Sequence, residues 1–204
     1  MKQIYYIGGS PCSGKSTAAE VISRQCDLYY FKVDDYLDRY AAMGAAAGSP
    51  ACVKLNHMTP EQLWMRAPEE QNLEELQFYR EIFDFVMADI RKIPEERGII
   101  AEGAAFLPEL MMSRNIDRQH YVNVTPTPEF QVFHYRQRPF VAEVLKGCTD
   151  PEQAFRNWMD RDRLFGNTVR EQAAGMGYRT FLTDESTSAE ELVKQVCMQF
   201  ELVL

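Results

Sequence analysis

The chain carries, close to its beginning, a loop whose residue types suit phosphate binding. In the segment GGSPCSGKST, the residues Gly9, Gly14, Lys15 and Ser16 have the spacing G-x-x-x-x-G-K-S. This pattern directly follows the apolar run IYYI and directly precedes a segment of helical composition, which is the context that a phosphate-binding loop (P-loop) requires. Glycines let backbone N–H groups approach a phosphate closely, and the helix that follows adds its positive N-terminal end. The segment therefore predicts a nucleotide phosphate site.

Each polar residue of this loop has an expected task. We expect Lys15 to reach the β- and γ-phosphates of ATP, Ser16 to offer its hydroxyl to Mg²⁺, and Thr17 to contact the α-phosphate. The other residues expected to line the nucleotide are Gly9, Ser10, Cys12, Ser13 and Gly14. Cys12 lies near Lys15 and a helix N-terminus, surroundings that favour a thiolate, so it is either a redox-sensitive thiol or a small residue that fits the loop.

Carboxylates follow two of the expected strands at the point where each strand ends. The run LYYFKV ends in Asp34 and Asp35, and the run GIIA ends in Glu102 and Gly103. Ligands of open α/β sheets bind outside the carboxyl ends of the strands, so all four residues are candidates for binding a phosphoryl acceptor. A carboxylate within hydrogen-bonding reach of an acceptor hydroxyl orients it and takes its proton.

Asp34 is the first candidate for that base, whereas Asp35 is better suited to cap the helix that follows. Glu102 is expected to hold Mg²⁺ or to bind a polar group of the acceptor, unless nearby N–H groups simply satisfy it. Gly103 would let a ligand approach the backbone. The sequence leaves open which of Asp34, Asp35 and Glu102 is the base.

Arginines collect in residues 136–165, which we interpret as a lid region. Phosphoryl transfer requires positive charge over the transferring group and exclusion of water, which arginines on a closing element supply. Arg136 and Arg138 end one expected helix and are assigned to the lid. Arg161 and Arg163 flank the apolar face of the next helix on opposite sides, and both are assigned a catalytic role. The alternative is a solvated amphipathic helix whose arginines take no part in the reaction.

An acidic residue interrupts the apolar face of that same helix. Asp162 falls within the face, where a carboxylate is costly unless it is paired. We therefore expect it to orient one of the lid arginines or Lys15.

Strand-like and helical segments alternate along the chain. The strand-like runs are residues 3–7, 28–33, 98–101, 120–124 and 178–182. The expected helices are residues 15–25, 35–46, 60–64, 73–92, 128–137, 151–174 and 188–200. The alternation predicts a three-layer α/β fold in one domain, in which helices cover both faces of a five-stranded parallel sheet. Residues 36–93 are interpreted as a helical acceptor-side insertion, with AAMGAAAGSPAC as a loop or frayed helix.

Composition and charge exclude several classes of protein. The 204 residues are 46% hydrophobic and 25% charged, as in ordinary globular domains. A net charge of −8 without a basic block argues against a nucleic-acid polymer as partner. No apolar run approaches the ~18 residues of a membrane helix, so a cytoplasmic location is expected. Five scattered cysteines without a C-x-x-C pair favour reduced thiols, and the oligomeric state is left open.

The segments GGSPCSGKST, KVDD, AEG and WMDRDR, in this order, resemble those of the P-loop kinases of the nucleoside/nucleotide-kinase-like group. The resemblance implies the P-loop NTPase fold with strand order 2-3-1-4-5, use of ATP and Mg²⁺, an acceptor held over the second and third strands, and a mobile lid. KVDD looks like the acceptor-binding carboxylate of small-molecule and polynucleotide kinases of the group, which here is Asp34.

Differences between this sequence and the motifs of that group disfavour some of the candidate functions. A nucleotide-monophosphate kinase shows an arginine-bearing acceptor motif shortly after the second strand, and Arg39 is a poor substitute for it. GTPase motifs N-K-x-D and D-x-x-G are missing from the expected places. The first hypothesis is therefore an ATP-dependent phosphotransferase that acts on a hydroxyl of a small molecule. The alternatives are a nucleoside or nucleotide kinase, and a regulatory ATPase that transfers phosphate only to water.

Overall fold

Five short strands form a parallel sheet in the structure, a computed structural model that describes residues 3–94 and 96–203. The strands are β1 (Ile4–Gly8), β2 (Tyr29–Lys32), β3 (Ile99–Glu102), β4 (Tyr121–Pro126) and β5 (Arg179–Thr183). Their order is β2-β3-β1-β4-β5, and each neighbouring pair is parallel. The five predicted strands and the order implied by the resemblance are confirmed.

Helices cover both faces of this sheet. They are α1 (Lys15–Gln25), α2 (Leu37–Ala46), α3 (Pro50–Asn56), α4 (Pro60–Trp64), α5 (Pro68–Lys92), α6 (Pro108–Ser113), α7 (Pro128–Arg136), α8 (Phe140–Val144), α9 (Pro151–Met176) and α10 (Ala189–Phe200). Side chains of β1 alternate between the two cores, because successive residues of a strand point to opposite faces. Tyr6 lies in one core with α5 and α9, while Tyr5 and Ile7 lie in the other with α1 and α10. The three-layer arrangement is thus confirmed.

The alanine- and glycine-rich segment, residues 41–52, is helical at both ends. Helix α2 continues to Ala46, as the predicted helix 35–46 does, and α3 begins at Pro50, so the expected loop is confined to residues 47–49. A Cβ on Gly44 would lie 2.4 Å from the Cys52 sulfur, so the missing side chain lets the two helices approach closely. Glu81 on α5 accepts hydrogen bonds from the backbone N–H groups of Ala51 and Cys52 (3.1 and 3.0 Å), which caps α3.

The expected helix at residues 73–92 begins earlier, at Pro68, with Glu69 and Glu70 in its first turn. Proline has no N–H to lose at this position, and acidic side chains favour the positive helix end. The short helices α3, α6 and α8 have no counterpart among the predicted helices. None of the helices in the described part of the chain has both the length and the apolar character that crossing a bilayer demands.

Candidate functional site

The strand register brings the predicted site residues to one edge of the sheet. Ile7 of β1 pairs with Glu102 of β3, and Glu102 pairs in turn with Lys32 of β2. All three strands are parallel and end together, so the segments that follow them are neighbours. Those segments are the P-loop, the turn that contains Asp34, and the start of the loop at Gly103.

Glycine is required at both ends of the P-loop. Gly9 (φ 118°) and Gly14 (φ 82°) have left-handed backbone conformations, which L side chains rarely adopt. A Cβ on Gly9 would lie 1.9 Å from the carbonyl oxygen of Val124 on β4. The loop therefore packs directly on the neighbouring strand, and α1 begins where the loop ends.

The N-terminus of α1 is suited to an anion. Gly14 supplies no side-chain cap, and the first turn contains no acidic residue, so the N–H groups at this helix end are available to a ligand. The ammonium of Lys15 is folded back over the loop, where it donates to the carbonyl oxygen of Ser10 at 2.7 Å and lies 3.5 Å from the Ser13 hydroxyl. With Lys15 only 7% exposed, a positive charge is held in place beside these donors. This arrangement fits nucleotide phosphates.

The P-loop opens into a space of about 410 Å³, which we call the P-loop cavity. Its lining comprises residues 11–17 together with Asp34, Leu37, Glu75, Tyr79, Ala104, Tyr135, Arg138, Phe140, Trp158 and Arg161. Most of the predicted nucleotide-binding residues thus share one cavity with Asp34 and two of the four predicted arginines. Gly9 and Ser10 belong to the loop without reaching this lining.

Glu102 lies beneath the P-loop as a fully buried carboxylate. Its Oε1 accepts a hydrogen bond from the Tyr30 hydroxyl at 3.1 Å, while its Oε2 has no hydrogen-bond partner. Burial raises the pKa of Glu102, an effect that Lys15 and the Ser16 hydroxyl oppose. A buried carboxylate oxygen without a partner, next to the Ser16 hydroxyl, fits a divalent cation.

No cluster of three or more acidic, histidine or cysteine side chains with metal-binding geometry occurs in residues 3–94 and 96–203. Mg²⁺ does not need one at a phosphate site, because substrate phosphates and waters supply most of its ligands. Ser16 and Glu102 therefore remain the predicted protein ligands of Mg²⁺.

The two aspartates after β2 have different surroundings. Asp34 lies in a single 3₁₀ turn (Val33–Tyr36), is exposed, and lines the P-loop cavity. Asp35 points elsewhere, with a carboxylate oxygen 3.8 Å from the Lys32 ammonium. The residue before α2 is Tyr36, and no side chain caps that helix, so the expected capping role of Asp35 is wrong. The base assignment to Asp34 stays a prediction, and the geometry favours Asp34 over Asp35.

Arg161 is the centre of a buried ionic cluster at the floor of the cavity. Its guanidinium lies 2.9 Å from the carboxylate of Glu75 on α5 and 2.6 Å from that of Asp162. The expectation that Asp162 pairs with a lid arginine is confirmed. Burial raises the pKa of both carboxyl groups, to about 7 for Glu75, while Arg161 opposes the shift. Trp64 lies under the guanidinium at 5.3 Å.

The other predicted arginines differ in position. Arg138 lines the P-loop cavity, 3.6 Å from the sulfur of Cys12. Arg163 lies 3.2 Å from Asp160, and Arg136 lies 2.6 Å from Glu152, both at the surface and both away from the cavity lining. Their catalytic and lid roles stay predictions.

Of the two interpretations of Cys12, the structure does not favour the redox-sensitive thiol. Burial raises the pKa of its thiol more than Arg138 and Lys15 lower it. The plainer interpretation, a small residue that fits the loop, is the one that agrees with the structure. Its φ of 62° shows that the loop also takes a left-handed conformation here.

Sequence reasoning did not single out Glu75, which reaches the floor of the cavity. A signal was available, because Glu75 lies three residues after Asn72 and four before Tyr79, both buried on the inner side of α5. Helix α5 contains five glutamates. Periodicity alone does not show which of them is buried, so Glu75 could not be distinguished from the others.

Arg161→Ala is expected to lower the free energy of unfolding by about 3–5 kcal/mol, because it leaves Glu75 and Asp162 buried without their shared partner. Urea unfolding followed by circular dichroism measures this change. Arg163→Ala is the matched control on the same helix and should leave stability unchanged, since its partner Asp160 is exposed. Equal effects of the two substitutions would contradict the structural role of Arg161.

Comparison with known proteins supports the fold alone. No protein-family model matches the chain, and no curated protein sequence matches it. Solved structures that cover nearly its full length include the following two. The protein TT1252 from Thermus thermophilus aligns over 97% of this chain and 97% of its own at 16% identity, with a TM-score of 0.53. Shikimate kinase from Bacteroides thetaiotaomicron aligns over 98% and 99% at 18% identity, with a TM-score of 0.52. Together with the strand order, these likenesses show that the chain has the P-loop kinase fold.

Proposed function

We propose that the protein is an ATP-dependent phosphotransferase that moves the γ-phosphoryl group of ATP to a hydroxyl of a small molecule. The observation that carries this proposal is one cavity that contains Lys15, the uncapped start of α1 and the carboxylate of Asp34. The phosphate-binding loop and a candidate base thus line the same cavity, as phosphoryl transfer to a hydroxyl requires.

Each residue has a defined part in the transfer. Backbone N–H groups of the P-loop and Lys15 bind the β- and γ-phosphates, and Thr17 faces the α-phosphate. Ser16 and Glu102 would hold Mg²⁺, which when bound neutralises charge on the β- and γ-oxygens. Asp34 takes the proton of the acceptor hydroxyl. The oxygen of that hydroxyl bonds to the γ-phosphorus while the bond between the γ-phosphorus and the bridging oxygen breaks, which releases ADP.

The helical layers around the cavity would separate this reaction from water. We place residues 36–93 on the acceptor side and residues 136–165 as the lid. Arg138 and Arg161 from the lid region line the cavity. Arg138 brings positive charge towards the transferring group, whereas the charge of Arg161 is balanced by Glu75 and Asp162. A nucleoside kinase is the second candidate, because Tyr79 and Trp158 also line the cavity and their rings can stack on a base.

A screen for acceptors tests the proposal. Purified protein with ATP and Mg²⁺ is assayed for ADP release against nucleosides, nucleotides, sugars and amino alcohols, and the phosphorylated product is measured by mass spectrometry. One ADP formed for each phosphorylated acceptor is the expected result. ADP release that does not depend on any acceptor would establish the regulatory ATPase instead. Lys15→Ala protein prepared in the same way corrects for contaminating ATPases.

A further inference from the structure

A second cavity of about 330 Å³ adjoins the P-loop cavity on the side of α2 to α5. The two cavities share the lining residues Leu37, Glu75, Tyr79 and Arg161. We call the second space the acceptor-side cavity. A molecule of moderate size placed there can present a hydroxyl towards the P-loop while its remainder contacts the helices.

The arginines of the acceptor-side cavity are already neutralised. Arg66 is paired with Glu70 and Glu74, and Arg161 is paired with Glu75 and Asp162. Each guanidinium is therefore matched by two carboxylates, although Nη2 of Arg66 is buried without a hydrogen-bond partner. Among the described residues that line this cavity, Arg66 and Arg161 are the only cationic ones. A carboxylate or phosphate on the acceptor would have to compete with these internal pairs.

The remaining charge of the cavity is negative. Asp38 also lines it and is exposed towards it. Lys54 also pairs with Glu70 and Glu74. The cavity lining and its ion-pair partners therefore contain three cations and five carboxylates: Lys54, Arg66 and Arg161 against Asp38, Glu70, Glu74, Glu75 and Asp162. The adjoining P-loop cavity adds Asp34 but also Lys15 and Arg138, so the excess of carboxylates belongs to the acceptor-side cavity. This balance favours a cationic ligand.

Glu75 supplies the second, independent observation. Its side chain is 10% exposed, and Oε1 is engaged by Arg161 at 2.9 Å and by the Tyr79 hydroxyl at 3.5 Å. Oε2 is buried and has no hydrogen-bond partner. An unpartnered carboxylate oxygen inside a protein is unfavourable, and a ligand that donates an N–H to it removes that cost.

The walls of the acceptor-side cavity are largely apolar and aromatic. Trp64 stacks on Trp158 with ring centroids 4.5 Å apart, and Phe78 and Tyr79 contribute two further rings. Aromatic faces attract ammonium groups and accept flat or apolar surfaces.

We propose that the acceptor is a small hydroxyl compound with a protonated amine and a flat or apolar face, and that Glu75 and Asp38 bind the amine. This inference rests on the proposed function, because the hydroxyl is the group that receives the phosphoryl group. The amine completes the hydrogen bonding of Glu75, and the aromatic walls bind the apolar face.

The two tryptophans of the chain give a direct measurement of binding that does not depend on turnover, since Trp64 lines the acceptor-side cavity and Trp158 the P-loop cavity. Two sets of three probes are used, and within each set the compounds have a similar shape but differ in charge: cationic, neutral and anionic. One set is 4-(aminomethyl)benzyl alcohol, 1,4-benzenedimethanol and 4-(hydroxymethyl)benzoate. The other is 4-aminocyclohexanol, 1,4-cyclohexanediol and 4-hydroxycyclohexanecarboxylate. Each probe is titrated against tryptophan fluorescence at pH 8 and pH 6.

At pH 8 the amine of at least one set should bind about 10-fold more tightly than its neutral and anionic counterparts, as expected for one charge-assisted contact. Burial raises the pKa of Glu75 to about 7, so the carboxyl is mostly ionised at pH 8 and mostly protonated at pH 6. Affinity for the amine should therefore fall severalfold at pH 6, while that for the neutral probe stays the same.

Glu75→Gln keeps the size of the side chain and a contact with Arg161 but removes the charge, and it should abolish the preference for the amine. Asp38→Asn is a second variant at an exposed position, which tests the site even if Glu75→Gln fails to fold. Glu69→Gln, exposed on the same helix, is the matched control and should keep the preference.

Three results would overturn the inference: preference for the anion, equal affinity for all charges, or no fluorescence response up to the solubility limit. A preference that survives in both Glu75→Gln and Asp38→Asn would overturn it as well. If the ADP-release screen finds an anionic acceptor, the inference of an amine is wrong, but the proposed phosphotransferase function still holds. Amine binding without ADP release from any acceptor would instead contradict the phosphotransferase.

Discussion

Lys15→Ala is expected to lower ATP-dependent turnover by about 10³-fold, the upper range for removal of one preorganised donor at a site of developing charge. The side chain is held over the P-loop by the Ser10 carbonyl, so its charge is in place before the nucleotide arrives. Loss of the ammonium removes the charge that balances the β- and γ-oxygens in the transition state. Steady-state ADP formation at saturating ATP measures the effect.

Two measurements distinguish this effect from a structural one. Lys194→Ala on α10, an exposed lysine far from the loop in sequence, should keep full turnover. The melting temperature of Lys15→Ala should stay close to that of the parent, because both polar contacts of the lysine are made within the P-loop itself. Unchanged turnover in Lys15→Ala would refute the phosphate-cradle assignment, and an unfolded variant would show that the loop has a structural role.

The parts of the fold that could be predicted from the sequence are those set by local patterns. The strand β1, the P-loop and α1 follow from an apolar run, glycines at fixed spacing and a helical segment. Asp162 was placed in an ion pair because helical periodicity puts it on the apolar face, where it must be paired. In each case the sequence pattern that allows the prediction is local, because it involves residues close together in the chain.

The parts that could not be predicted depend on contacts between distant segments. The packing of α2 on α3 depends on the approach of Gly44 to Cys52 and on capping by Glu81 from α5. Arg161 and Arg163 flank the same apolar face in sequence, and only the position of α5 decides that Arg161 is buried against Glu75. The sequence left two interpretations of Cys12 open, because nearby charges favour a thiolate while the extent of its burial is a property of the whole fold.

Asp34→Asn is expected to reduce phosphoryl transfer to the acceptor by about 10²-fold or more, because asparagine keeps the volume and the hydrogen-bonding reach but cannot take the proton. Affinity for ATP should barely change, since Lys15 and Ser16 hold the nucleotide while Asp34 follows a different strand. Slow transfer to water should survive, because water reaches the γ-phosphate without this residue. Calorimetry of ATP binding and ADP formation with and without the acceptor measure these quantities separately.

Asp35→Asn is the matched control for Asp34→Asn. The two aspartates are adjacent, but Asp35 is directed towards Lys32 and does not line the P-loop cavity. If Asp34 is the base, only its substitution lowers transfer, and ATP affinity is the same in both variants. Joint loss of ATP affinity and turnover in Asp34→Asn would reassign the residue to the metal site, next to Ser16 and Glu102. Full activity in that variant would leave Asp35 and Glu102 as the candidate bases, and activity lost in Asp35→Asn alone would select Asp35.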